Sequence, residues 1–166
     1  MAFDIKAWTD YGVAIVGAAA VLVGLLFVAA SVNSAWFSSS RAHRGLAGQA
    51  LALFVVPLVT GILLLIPGET TTSLGIEIVA FGLLVGRVFL AVGSVELKDE
   101  PRVLVVIDRV SPRTLVTAAL VAGGASLIVG HLGGLYLLAG AHVGALLAGL
   151  LSAWVFLLVA GAHRET

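Results

Sequence analysis

Residues 74–95 read LGIEIVAFGLLVGRVFLAVGSV, and this stretch decides the fold. A helix of about 20 residues crosses the roughly 30 Å hydrocarbon core of a bilayer, and this run is long enough and apolar for most of its length. Glu77 and Arg87 interrupt it. A charged side chain at the centre of a membrane helix costs about 2.5–3.5 kcal/mol on insertion scales, so it is normally kept only against protein or water. The stretch therefore reads as a membrane span and as the first place to seek a functional site.

Composition extends that reading to the whole chain. Of the 166 residues, 60% are hydrophobic and 11% charged, and the mean hydropathy is +1.15. A soluble domain carries about 25% charged residues. Less than half that share, with apolar runs recurring along the chain, implies an all-α polytopic membrane helix bundle. Nine basic residues balance nine acidic ones without clustering, so no nucleic-acid partner is expected. The absence of cysteine excludes disulfides, thiolate chemistry, iron–sulfur clusters and cysteine zinc sites. HExxH, GxSxG, P-loop and paired-aspartate signatures are missing, so neither an enzyme nor a cofactor or metal is expected.

The chain reads as one transmembrane domain, 1–166, with spans at about 12–32, 46–66, 74–95, 114–130 and 135–160. The opening MAFDIKAWTDY lacks the basic segment of a signal peptide and reads as an interfacial lead-in, with Trp8 and Tyr11 at headgroup level. Pro57 falls inside the second span, where it strips the Leu53 carbonyl of its helical donor and predicts a kink. Pro67-Gly68 signals a turn, and HLGG at 131–134 a tight reversal. The linkers at 33–45 and 96–113 are longer. Within the second, VLVVI at 103–107 is too short to span; an interfacial segment, a strand or a subunit contact all remain open.

Basic residues orient the bundle. With the N-terminus outside, Arg41, Arg44, Lys98, Arg102, Arg109, Arg113 and Arg164 fall inside and only Lys6 outside. That asymmetry predicts an N-out, C-in protein of the bacterial inner (cytoplasmic) membrane.

Small residues mark candidate helix seams, because membrane helices associate by close van der Waals contact. Gly75, Gly82, Gly86 and Gly93 form one stripe, Gly140 and Gly144 have GxxxG spacing, and Gly17 and Gly24 lie seven apart. Bundle packing and a homo-oligomer seam both fit.

At 1.5 Å per residue Glu77 lies about 5 Å below the outer end of its span, and Arg87 about 15 Å deeper. The two are rotated about 80° apart, so Arg87 needs partners from other helices. Candidates at compatible depth are Thr60, Ser126, His142 and Ser152. Arg87 then reads as a structural hydrogen-bond hub, as a gating or anion-attracting residue, or as a lipid headgroup contact. Glu77 reads as an outer-edge carboxylate reached by water, or as a cation or proton site with His142 or His131, because a Glu–His pair can relay protons.

AAAVLVGLLFVAASVN at 18–33, the PGE turn at 67–69 leading into LGIEIVAFG, and the closing GGLYLLAGAHVGALLAGLLSAW resemble a family of small multi-pass bacterial, actinobacterial-type membrane proteins. Some of these are labelled modulators of a membrane-anchored AAA protease. The resemblance implies a role beside another membrane complex and carries over no functional residue. Two expectations follow. One is a homo-oligomeric channel or transporter for protons or small ions that uses Arg87, Glu77 and His142. The other is a non-catalytic accessory subunit bound through its glycine stripes and the 96–113 linker.

Overall fold

The computed structural model describes residues 8–32, 41–92, 112–130 and 133–162. Five helices account for almost all of them: α1 Thr9–Val32, α2 Arg41–Leu64, α3 Thr71–Val92, α4 Pro112–Val129 and α5 Gly134–Ala162. Each is long and apolar enough to cross a membrane, and there is no strand among the described residues. His131, Gly93, VLVVI and most of both long linkers lie outside the described residues.

The helices run further into the connections than apolar runs alone indicate. Helix α2 begins at Arg41 rather than near Leu46, because RAHR contains no helix breaker and simply continues the helix as a polar extension. Helix α3 begins at Thr71 because Thr70 caps it: its Oγ1 accepts the Ser73 N–H at 3.1 Å, while its own N–H donates to Ser73 Oγ at 3.1 Å. This reciprocal exchange satisfies two donors at the helix start. Between α2 and α3 the chain turns through Pro67 and Gly68, the latter at φ 79°. Gly130, at φ 72°, closes α4, and its N–H donates to the Ser126 carbonyl at 3.0 Å. Only glycine takes that left-handed backbone readily. Pro57 is fully buried, and α2 remains helical through it.

Helices α2, α3, α4 and α5 form a ring in which each packs on its two neighbours, and α1 lies outside it, mainly against α2. Half of α2's spanning stretch is buried, 50%, against 17% of α1's. Leu53, Val56, Leu74, Ile78 and Leu120 fill the ring's centre, and Phe54 packs toward α1 with Leu26 and Ala50.

Glycines set the closest approaches. A Cβ on Gly75 would stand 2.7 Å from the Gly124 carbonyl oxygen, and one on Gly124 2.8 Å from that of Gly75. The preceding residue of α4 does the same on the other side: a Cβ on Gly134 of α5 would lie 2.7 Å from the Gly123 oxygen. Gly82 and Gly86 continue the α3 seam against Leu120, Val121 and Thr117. Two of the glycine pairs make no seam within the chain: a Cβ on Gly140, Gly144, Gly17 or Gly24 would meet nothing within 4 Å, because spacing defines a stripe but not the direction it faces. Gly12 and Gly61 make the α1–α2 contact instead, and Gly149 admits the Phe54 ring against α5.

Gly124→Ala should therefore lower the unfolding free energy in detergent by about 1–3 kcal/mol, the range for overpacking a close contact. Gly140→Ala, which meets nothing within 4 Å, should be neutral or mildly stabilising. Thermal melts of both variants followed by circular dichroism check the pair.

Candidate functional site

The buried polar chemistry of the described residues gathers where α1, α2 and α5 meet. His142 of α5 and Thr60 of α2 are each only 2% exposed. Thr60 Oγ1 donates to the Val56 carbonyl at 2.7 Å, one turn back along α2. A hydroxyl has one hydrogen, so at 2.6 Å from His142 Nε2 the same oxygen accepts. That places the imidazole proton on Nε2 and leaves Nδ1 as acceptor for the Tyr11 hydroxyl at 2.9 Å. The donors run in one direction, from Tyr11 through His142 and Thr60 to Val56.

Local structure places each member. The Thr60 bond to Val56 is the back-bond that Thr favours inside helices. It lies beside Pro57, where α2 has already lost one backbone donor. Helix α1 runs parallel to α5, so Trp8 meets Tyr136 and Tyr11 meets His142 in succession. The Trp8 ring is edge-on to Tyr136 at 4.9 Å and to Tyr11 at 5.4 Å, and Tyr11 stacks on His142 at 5.9 Å. Edge-to-face pairs at such separations add about 0.5–1.5 kcal/mol beyond burial. The aromatic cluster closes one end of the hydrogen-bonded chain.

Both ring nitrogens of His142 are thus occupied, and the network ends on a backbone carbonyl. It neither reaches Glu77 nor leads onward from Val56 among the described residues. Its chemistry is orientation, tying three helices at one depth.

The other candidates lie apart. Glu77 is half-buried on α3, and its Oε2 is buried with no hydrogen-bond partner. Ser152 donates to the Ala148 carbonyl of its own helix at 2.9 Å. Ser126 is half-buried near the end of α4, and His131 lies outside the described residues. Arg87 departs most from expectation. It is exposed, on an outer stripe of α3 with Ile76, Leu83 and Leu90, and no hydrogen bond or ion pair joins it to a described residue. Thr60, His142 and Ser152, its expected partners, are bonded elsewhere. The glycine seam explains why: with Gly75, Gly82 and Gly86 turned to α4, the rotation of α3 carries Arg87 outward. Arg113, by contrast, is buried at the start of α4 and has interactions of its own. Among the described residues no three His, Asp or Glu gather as a metal site.

Tyr11 is the member that sequence reasoning assigned elsewhere, to the membrane interface. Its phenol and the His142 imidazole are 131 residues apart, and only their similar distance from one end of the bundle hints at a pair.

Thr60→Val should destabilise the fold by on the order of 1 kcal/mol, because it leaves the His142 Nε2–H buried without an acceptor. The same substitution in a His142→Phe background should cost measurably less. A double-mutant cycle on unfolding in mixed micelles checks this, and strict additivity would remove Thr60–His142 coupling from the account.

No family model, curated protein or solved structure matches this chain.

Proposed function

We propose that this chain is a non-catalytic integral membrane subunit that works as part of a larger assembly, inserted N-out and C-in in the bacterial cytoplasmic membrane. The observation that carries the reading is Arg87, a cation on the outer face of a spanning helix. Exposed to hydrocarbon about 8 Å past the middle of α3, it would bear part of the cost of about 2.5–3.5 kcal/mol that a charge meets at the helix centre. Covered by protein, it becomes a bonded group at an interface. The resemblance to modulators of a membrane-anchored AAA protease belongs to the same class of role.

Ion conduction through one protomer has less support. The Tyr11–His142–Thr60 chain ends on a carbonyl and does not reach Glu77 among the described residues. A conducting path for protons or small ions would have to run between subunits.

Extracted at native expression level into nanodiscs, the protein should have a particle mass, lipid and scaffold subtracted, well above the 16.9 kDa of one chain. A lone 16.9 kDa chain without a co-purifying protein would overturn the assembly reading. Gradient-driven flux in proteoliposomes of the pure chain, abolished by Arg87→Leu, would return the role to conduction.

Orientation has its own check, made clean by the absence of native cysteine. Pro67→Cys should react with an impermeant maleimide from outside intact cells, and Asp99→Cys should react only after permeabilisation.

A further inference from the structure

We propose that the outer face of α3 carrying Arg87 docks a membrane helix of a different protein, one with an Asp or Glu at the depth of Arg87. This deepens the assembly reading and rests on it.

Depth is the first argument. Arg87 lies 16 residues into α3, about 24 Å from its first residue and about 8 Å beyond its midpoint at 1.5 Å per residue. Helical Cβ bonds tilt toward the N-terminus, so the side chain leaves the backbone pointing back toward the membrane centre. Around it the stripe is apolar: Leu83 is 57% exposed and Leu90 84%. A single cation within an aliphatic face, with no described partner in its own chain, is complementary to a helix of the same character bearing one anion. A guanidinium and a carboxylate meet through two parallel hydrogen bonds, and these strengthen where water is scarce.

Charge placement among the described residues then argues against a second copy packed through α3. The acidic residues of the described segments are Asp10, Glu69 and Glu77, all toward the end of the bundle opposite Arg87. A parallel copy offers none of them at its depth, and α3 packed on α3 about a two-fold axis would set Arg87 against Arg87. An inverted copy would bring Glu77, about 7 Å before the α3 midpoint, close to the level of Arg87. The distribution of basic residues, seven toward one side and Lys6 toward the other, opposes insertion in both orientations.

The test uses full-length protein, labelled at the C-terminus, in phosphatidylcholine vesicles. The probes are two synthetic Leu/Ala membrane helices, identical except for one Glu or one Gln at the level of Arg87. Energy transfer should show the Glu helix binding about tenfold more tightly than the Gln helix, a preference lost in Arg87→Leu and largely kept in Arg87→Lys. Because residue 87 is exposed, Arg87→Leu should keep the wild-type melting curve, which separates lost docking from lost folding.

Equal binding of the two helices overturns the proposal, as does a preference that survives Arg87→Leu. Disulfide cross-linking of Leu83→Cys to itself would give this face to a second copy. Loss of the preference on adding phosphatidylglycerol would give Arg87 to lipid headgroups. In each case a native mass above one chain would leave the assembly reading standing.

Discussion

The fold depends on how closely α4 approaches helices on both sides, and two adjacent residues permit it. Gly124 lies against the Gly75 carbonyl of α3, and Gly123 lies against α5 at Gly134. Apolar burial does little to drive association between helices surrounded by lipid, so contact distance and backbone polarity dominate. At such separations Cα–H groups can rest against facing carbonyl oxygens, adding about half a kcal/mol each. A methyl group at either position would push a helix outward and loosen both seams.

That seam also sets the rotation of α5. His142 follows Gly134 by eight residues, about 80° further around the helix. Fixing Gly134 against α4 therefore turns His142 toward α2 and α1, where Thr60 and Tyr11 meet it. Glycine contacts on one flank and a directed hydrogen-bond chain on the other hold α5 against both rotation and sliding. A buried polar network of this kind is stabilising only when each member is satisfied. With Thr60 bonded back to Val56, each of its three side chains has a partner.

The architecture was legible because length and apolarity act locally: a run such as 12–32 makes a helix long and apolar enough to cross a membrane. The starts of α2 and α3 were less legible, since RAHR and the Thr70–Ser73 cap extend helices into sequence that hydropathy counts as linker. Glycine spacing on α3 reads as a stripe, and Gly75, Gly82 and Gly86 lie against α4; helical spacing on α5 likewise marked Gly140 and Gly144, where an added Cβ would meet nothing within 4 Å. Periodicity identifies a face but carries no information about which neighbour it meets. The anomaly of Arg87 was visible in the sequence, whereas its outward side is a consequence of contacts made by other residues. The Tyr11–His142 pair was hidden for the same reason, being a property of the packed bundle.

The hydrogen bond between Tyr11 and His142 also imposes an order on biogenesis. Ribosomes add about 5–20 residues per second, so the 131 residues between the two take on the order of ten seconds to make. For that interval α1 lacks the imidazole that completes its docking. It must wait beside α2, held by Gly12 and Gly61, while the later helices are threaded. Of the five described helices, the earliest made thus waits longest for this partner. During that wait the flank of α1 that later meets α5 stays open.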